Sequence, residues 1–245
     1  MKINVLLSPQ NVDDLYFTGK TSVIIDVLRA TSVIAKALNS GAKEIIPVGS
    51  IDFAMKISSN THGSQSLLCG ERNTKIIEGF NLGNSPEEYT EEKVKGKSII
   101  LFTTNGSKSI VKAKFSTNLL TCSFNNLKSV AEHLVKLGED VEILCAGSNG
   151  LFCIEDTVCA GKLISEIQKI NTDTEISDAA KASLVLSKEF GGDIPEMLKN
   201  CEHGKLLEEN GFGIDIEICG ILNNINIVPV FDNGSIKSFN TLAVE

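Results

Sequence analysis

The amino-acid sequence predicts an α/β fold in which helices cover a parallel or mixed β-sheet. Short runs of apolar and β-branched residues alternate with helical stretches along most of the 245 residues, as in layered α/β proteins. These runs are apolar almost throughout, which is typical of strands buried on both faces. The predicted strands are residues 3–7, 23–27, 44–48, 98–102, 119–122 and 141–145.

The helices are predicted from the stretches between and after these strands. Gly41 and Gly138 each follow such a stretch, and glycine commonly ends a helix. Near the end of the chain, two strand-like runs (225–231 and 235–239) flank Asp232-Asn-Gly234, which is typical of a hairpin turn. The predicted helices are residues 30–39, 105 or 107 to 114, 125–137, 154–170, 175–190 and 203–209.

The composition indicates a globular acidic protein. The chain is 42% hydrophobic and 22% charged, which is enough to build a large core. We expect a single domain over residues 1–245, with a division into lobes of about 1–150 and 151–245 left open. The formal net charge of −8 argues against a nucleic-acid partner. The 7 cysteines include no Cys-x-x-Cys pair, which argues against a zinc ribbon or a disulfide framework.

The location is predicted from what the sequence lacks. Residues 1–9 contain no long apolar segment with a cleavage site, and no apolar run reaches the length of a membrane span. We therefore expect a cytoplasmic protein without a membrane partner. The sequence leaves the oligomeric state open, with a homodimer as one expectation.

Arginine is rare in this chain. Of 23 Lys and Arg residues, only Arg29 and Arg72 are arginine, and each lies close to a carboxylate, Asp26 or Glu71. A guanidinium group presents planar donors that fit an oxyanion bidentately, so the pair indicates a ligand with two oxyanionic groups. The alternative at each position is a buried bridge between the arginine and its neighbouring carboxylate.

Asp26 follows a predicted strand and precedes a helix that Thr31 and Ser32 open. Proteins with α/β folds commonly bind ligands at such turns. A carboxylate there can hold Mg²⁺ or attack a phosphoryl group, while helix-opening N–H groups and hydroxyls bind phosphate oxygens. The alternative is a helix cap formed by Asp26 or Thr31.

Two further Gly-containing segments, 78–86 and 103–107, carry short polar side chains next to predicted strands or helices. Such turns can bind anions through N–H groups and small donors, although ordinary surface loops use the same residue types. The candidate anion-binding residues are Asn84, Ser85, Thr104, Asn105 and Gly106.

Glu155 and Asp156 fall in the first turn of a predicted helix, where acidic side chains either stabilise the helix end or bind a metal. Neighbouring helix positions diverge by about 100°, so we do not expect both to face one metal ion. His203 can assist a leaving oxygen or bind an anion, with helix capping or packing as the alternative. We expect His62 and His133 to be structural or solvated.

Taken together, these motifs resemble the ComB family, the 2-phosphosulfolactate phosphatases. The resemblance extends from about Asn4 to Pro229, and the chain departs from the family pattern at Asn73-Thr74, Asn81 and Lys205. Signatures of nucleotide-binding loops, hydrolase elbows and Asp-x-Asp phosphatases are absent. The resemblance rests on DVLRATS (26–32), GER (70–72), EGFNLGNSP (78–86), TTNG (103–106), CAG (145–147), ED with CAG (155–156, 159–161) and HG (203–204).

The resemblance implies a three-layer α/β/α fold and Mg²⁺-dependent hydrolysis of a small anionic substrate. The implied reaction converts 2-phospho-3-sulfolactate to 3-sulfolactate and phosphate, a step of coenzyme M biosynthesis. Members also occur in organisms that do not make coenzyme M, so a related 2-phospho acid is an alternative substrate.

The site roles follow as hypotheses from the resemblance. Asp26 acts as the nucleophile or as a Mg²⁺ ligand, and Glu71, Glu155 or Asp156 completes the metal site. The remaining roles are neutralisation of phosphate and sulfonate by Arg29 and Arg72, donation to oxyanions by Thr104, Asn105 and Gly106, and assistance to the leaving alkoxide by His203.

Two other functions use the same groups. A Mg²⁺-dependent lyase or isomerase acting on a phosphorylated or dicarboxylic acid would use them to stabilise an enolate. A non-enzymatic anion-binding protein would use the two arginines as a clamp. Turnover without phosphate release would indicate the lyase or isomerase, and tight binding that survives EDTA would indicate the binding protein.

Overall fold

The structure of the protein is a computed structural model that describes residues 1–60 and 65–239, so that His62 lies outside the described residues. The strands are β1 (Lys2–Leu6), β2 (Thr21–Ile25), β3 (Glu44–Pro47), β4 (Ser66–Arg72), β5 (Lys75–Ile76), β6 (Ser98–Phe102), β7 (Asn118–Cys122), β8 (Val141–Cys145), β9 (Glu175–Ile176), β10 (Pro229–Asp232) and β11 (Ser235–Ser238). The helices are α1 (Ala30–Asn39), α2 (Ile51–Asn60), α3 (Glu91–Val94), α4 (Gly106–Lys112), α5 (Leu127–Leu137), α6 (Ile154–Ile170), α7 (Asp178–Phe190), α8 (Ile194–Asn200), α9 (Glu202–Glu209) and α10 (Gly213–Gly220).

Within the described ranges, the strands form one 11-stranded sheet in the order β5-β4-β6-β3-β11-β10-β7-β2-β8-β1-β9. The groups β4-β6-β3 and β7-β2-β8-β1-β9 are internally parallel. The β10–β11 hairpin joins them through antiparallel pairs with β7 and β3. Its turn residues Asn233 and Gly234 have φ values of +48° and +89°, as the Asn-Gly sequence predicts. The sheet is therefore mixed and mostly parallel.

The side chains of β2 alternate between two cores. Val23 and Ile25 pack in the cluster that contains residues of α5 and α6. Ile24 packs in a second cluster, together with Val33 and Ile34 of α1. Because β2 is buried on both faces, it reads as a continuous apolar run. The prediction of a three-layer α/β/α fold is confirmed.

Strands from both sides of residue 150 belong to this one sheet, since the hairpin near the end of the chain lies between β3 and β7. The single-domain assignment stays a prediction. No helix among residues 1–60 and 65–239 has both the length and the apolar character needed to cross a membrane.

Two predicted segments begin later in the structure than expected, and one of them is the strand predicted from residue 225, which begins at Pro229. The helix predicted from residue 175 begins at Asp178, because Glu175 and Ile176 pair with β1 and the Ser177 side chain accepts the Ala180 N–H as a cap. The segment Cys69–Arg72, for which we predicted no strand, belongs to β4. Its Gly70 has a φ of +136° and lies so close to the Phe102 carbonyl of β6 that a side chain would overlap it.

Candidate active site

The segments that follow β2, β4, β6 and β8 meet the start of α9 around one cavity of about 520 Å³. This places side chains from distant parts of the sequence in a single site. The predicted site residues that line the cavity are Asp26, Arg29, Glu71, Arg72, Asn84, Thr104, Asn105 and His203. Ser85, Gly106, Glu155 and Asp156 are not among the lining residues.

Asp26 follows the last residue of β2 and is only 6% exposed. Its Oδ1 accepts the Ala30 N–H at 3.1 Å, so the carboxylate does contact the start of α1, as the capping alternative proposed. Burial raises the pKa of Asp26 to about 7, and the charges of Glu71 and Glu155 add to this, against the lowering effect of the Ala30 and Gly106 N–H groups. Asp26 is therefore a carboxylate whose charge is costly unless a cation compensates it.

Gly106 contacts the Asp26 carboxylate, and its N–H group favours the charged form. A Cβ built on Gly106 would lie 2.5 Å from Asp26 Oδ2 and would also overlap Ala30. The glycine is required because any side chain would displace the carboxylate. Its predicted role as a donor to substrate oxyanions stays a prediction.

Glu71 lies near the end of β4 and joins two turns. Its Oε2 accepts the Thr74 N–H at 3.0 Å and its Oε1 accepts the Thr104 N–H at 2.7 Å. Each carboxylate oxygen can accept more than one hydrogen bond, so Glu71 retains acceptor capacity towards the cavity. The N–H group of Thr104 is already used within the protein, which leaves its hydroxyl for a ligand.

Arg29 takes part in a buried bridge, but not with its neighbour in sequence. Its Nη1 donates to Asp215 Oδ2 at 2.5 Å and its Nη2 donates to the Thr74 carbonyl at 2.9 Å. The guanidinium carbon lies 4.3 Å from the centroid of the Phe212 ring. Asp215 also accepts the Ser85 hydroxyl at 2.6 Å. Arg29 therefore forms a buried bridge, but its partner is Asp215 of α10 and not the neighbouring Asp26. The hydrogen bond from Ser85 holds Asp215 in place.

Arg72 has a different environment. It is exposed at the edge of the cavity, and none of the ion pairs among the described residues involves it. Its guanidinium group is thus available to an anionic ligand, and the bridge to the adjacent Glu71, which was the alternative interpretation, is not formed.

Glu155 and Asp156 lie in the first turn of α6, and both are buried. Asp156 accepts the Val27 N–H at 2.9 Å and the Gly147 N–H at 3.0 Å, so it fixes the turns that follow β2 and β8. Glu155 is 4% exposed, and burial raises its pKa, against the lowering effect of its own backbone N–H and of the nearby Cys201 and Cys153 thiols. The two side chains make different contacts, as the angle between adjacent helix positions predicts.

His203 lies in the first turn of α9 and lines the cavity. Burial lowers the pKa of His203, and the charge of Arg29 lowers it further, against the opposite effects of Glu71 and Glu202. The imidazole is therefore neutral at pH 7 and can donate one hydrogen bond and accept another. His133 instead packs against Phe239 at 4.4 Å between ring centroids, as expected for a structural histidine.

The cavity offers Asp26 and Glu71 as carboxylates for a metal ion. Among residues 1–60 and 65–239, no group of three or more His, Cys, Asp and Glu side chains is arranged to hold a metal. Mg²⁺ commonly uses one or two carboxylates, with water and substrate phosphate as its other ligands. Burial and, to a smaller degree, the charges of Glu71 and Glu155 raise the pKa of Asp26, and a bound cation would offset both effects. The donor set therefore fits Mg²⁺ bound jointly by protein and substrate.

Comparison with known proteins identifies the family. A profile described as 2-phosphosulpholactate phosphatase matches residues 6–234. The chain belongs to the 2-phosphosulpholactate phosphatase family. This membership confirms the predicted resemblance and the predicted enzyme class, that of the phosphoric monoester hydrolases.

Relatives in this family match nearly the whole chain. A probable 2-phosphosulfolactate phosphatase of Caldanaerobacter subterraneus is 40% identical over 228 residues, covering 93% of this chain and 94% of its own. One from Clostridium acetobutylicum is 39% identical over 236 residues, covering 96% and 100%, and one from Clostridium beijerinckii is 35% identical, covering 96% and 99%.

Sequence reasoning assigned no role to two residues that organise the cavity, Thr74 and Asp215. Thr74 follows Arg72 by two positions, and its signal is the departure from the family pattern at Asn73-Thr74. Asp215 gave no usable signal, because α10 was not predicted and its partner Arg29 lies 186 positions away.

Proposed function

We propose that the chain hydrolyses 2-phospho-3-sulfolactate, or a closely related 2-phospho acid, to the 2-hydroxy acid and inorganic phosphate in a Mg²⁺-dependent reaction. This is the reaction type used in coenzyme M biosynthesis. The observation that carries the proposal is the joint presence of two carboxylates, Asp26 and Glu71, and two guanidinium groups, Arg29 and Arg72, around one cavity.

The anionic groups of the substrate determine where it binds. The free guanidinium of Arg72 pairs with one acidic group at the edge of the cavity, where it is not committed to a protein carboxylate. Arg29 is held rigidly by Asp215, Thr74 and Phe212, and two of its five N–H donors are used in those hydrogen bonds. Its remaining donors stabilise negative charge that develops on the phosphoryl oxygens, without reorganisation during the reaction.

Asp26 and Glu71 would hold Mg²⁺, and when bound the ion would neutralise charge on the transferring phosphoryl group. Asp26 also fits the role of nucleophile, since its carboxylate lines the cavity. The neutral imidazole of His203 donates a hydrogen bond to the ester oxygen as the P–O bond breaks. The hydroxyl of Thr104 and the amide of Asn105 complete the polar wall.

The decisive experiment measures phosphate release from 2-phosphosulfolactate and from a panel of 2-phospho acids, with Mg²⁺ and with EDTA. We expect metal-dependent release that is lost in Asp26→Asn. Substrate turnover without phosphate would instead indicate a lyase or isomerase, and ligand binding that survives both EDTA and Asp26→Asn would indicate a binding protein. Acid quenching during turnover separates the two roles of Asp26, because only a nucleophilic aspartate retains covalent phosphate.

A further inference from the structure

The two-residue turn between β4 and β5 has an unusual residue at its second position. Asn73 and Thr74 have φ values of +53° and +68°, as in type I′ hairpin turns. Such turns favour Asn-Gly, because the second position readily accepts glycine and disfavours a β-branched side chain. The chain has asparagine at the first position but threonine at the second, which is strained there.

The backbone contacts of Thr74 do not explain the choice of threonine. Its N–H donates to Glu71 Oε2 and its carbonyl accepts from Arg29 Nη2, at 3.0 and 2.9 Å. Glycine would supply both groups without strain. Only the side chain distinguishes threonine at this position, so the reason for its presence is to be found in the hydroxyl or the methyl group.

The Thr74 hydroxyl has no hydrogen-bond partner within the described part of the chain. The residue is 5% exposed, and its Oγ1 atom is buried. A buried hydroxyl without a partner is unfavourable and uncommon in folded proteins. Thr74 lines the cavity next to the Arg29 guanidinium, which donates a hydrogen bond to the Thr74 carbonyl. The missing partner can therefore come from the cavity side, and because Oγ1 is itself buried, a ligand reaches it only after rotation of the side chain or a small shift of the turn.

We propose that the Thr74 hydroxyl donates a hydrogen bond to an anionic oxygen of the substrate that is bound beside Arg29. A hydroxyl can donate or accept, but an oxyanion only accepts, so Thr74 must be the donor. Thr74 is then a specificity-determining residue that binds the substrate together with the guanidinium. This inference rests on the proposed function for the identity of the ligand, and it names a contact that the function itself does not require.

The test uses three variants of Thr74 and measures both ligand binding and stability. Thr74→Val keeps the β-branched shape and removes the donor, whereas Thr74→Ser keeps the donor. We expect Thr74→Val to lower the affinity for the anion, and kcat/KM, about 10- to 100-fold, as for loss of a hydrogen bond to a charged group. Thr74→Ser is expected to bind close to the wild-type level.

Thr74→Gly removes the hydroxyl and keeps both backbone hydrogen-bonding groups, and it replaces Thr74→Val in the test if that variant does not fold. Relief of the strain should raise the melting temperature by about 2–4 °C, while affinity falls as in Thr74→Val. Asn233→Gly is the matched control, since Asn233 also has a positive φ of +48° but lies in the distant β10–β11 turn. It should leave affinity unchanged.

Calorimetric titrations with inorganic phosphate and with 3-sulfolactate show which oxyanion Thr74 contacts. Loss of affinity for phosphate alone assigns the contact to the phosphoryl group, and loss for 3-sulfolactate alone assigns it to the acid groups. Wild-type affinity of both Thr74→Val and Thr74→Gly for both ligands would overturn the inference, as would a wild-type protein that binds neither. A wild-type protein that binds an oxyanion through Thr74 but releases no phosphate would contradict the proposed function alone.

Discussion

Replacing Asp26 by asparagine tests whether the charged carboxylate after β2 lowers the free energy of unfolding of the metal-free protein. The pKa of Asp26 is about 7 in the folded chain, against an ordinary value of 3.8. The folded state therefore binds more protons than the unfolded state between these two values, and stability falls as pH rises across this window. At about 1.4 kcal/mol per pH unit, the free energy of unfolding falls by about 4 kcal/mol, and this loss is complete above pH 7.

The asparagine variant removes this pH dependence and keeps part of the local structure. Its side-chain oxygen can still accept the Ala30 N–H, which lies 3.1 Å from Asp26 Oδ1, whereas the favourable contact with the Gly106 N–H is weakened. We expect Asp26→Asn to be more stable than the wild type at pH 8 and no more stable at pH 4. The gain at pH 8 should be about 2–4 kcal/mol, after about 1 kcal/mol for the weakened contact.

Urea unfolding in EDTA at several pH values between 4 and 8 measures this difference directly. Asp173→Asn, which removes an exposed carboxylate, is the matched control and should show no such trend. Addition of Mg²⁺ should stabilise the wild type and not Asp26→Asn, because a ligand of the folded state alone raises its stability. A difference between Asp26→Asn and the wild type that does not change with pH would refute the proposed electrostatic cost.

Three further predictions concern the other charged groups of the cavity. Asp215→Ala leaves the Arg29 guanidinium buried without a counter-charge and should cost about 3–5 kcal/mol in urea unfolding, so an unchanged midpoint would contradict the bridge. Arg72→Ala should change stability by less than about 0.5 kcal/mol, because Arg72 is exposed, but should raise KM for a phosphosulfolactate substrate about tenfold or more; an unchanged KM would exclude Arg72 from the substrate site. NMR titration should give His203 a midpoint below 6.5, assigned by loss of its signal in His203→Gln, and a midpoint above 6.5 would show that neighbouring carboxylates outweigh burial and Arg29.

The parts of the fold that sequence predicted well are those whose signals are local. The apolar runs of β2 and β8 and the Asn-Gly turn of the β10–β11 hairpin each carry their own periodicity or turn chemistry. Helix α6 was predicted over the same residues as observed, 154–170, since long elements give the most reliable signal. Strand β4 was not predicted, because Gly70 and the charged residues Glu71 and Arg72 interrupt its apolar pattern.

The candidate site was predicted as a set of residues but not as a set of contacts. Asp26 was predicted because it lies in a turn between an apolar strand and a helix, and Arg72 and its neighbour Glu71 because arginine is rare in this chain. His203 was predicted from the chemistry of its imidazole. The contact between Arg29 and Asp215 depends on how α10 packs against the turn after β2, which no local pattern specifies. The same holds for Asp156, whose position at a helix start is equally typical of a capping or a metal-binding carboxylate.

The two rare arginines have different environments, although their sequence settings look alike, and we propose that they have different tasks. Arg29 is enclosed by a carboxylate, a carbonyl and an aromatic ring, which fixes its donors in place before the substrate arrives. Arg72 is exposed and unpaired with any described carboxylate, which makes it adaptable to ligands of different shape. A fixed donor suits the phosphoryl group, because that group is common to all substrates of the reaction and changes charge during it. An adaptable donor suits the variable acid, so substitutions at Arg72 should alter the preference among 2-phospho acids while substitutions at Arg29 lower the rate for all of them.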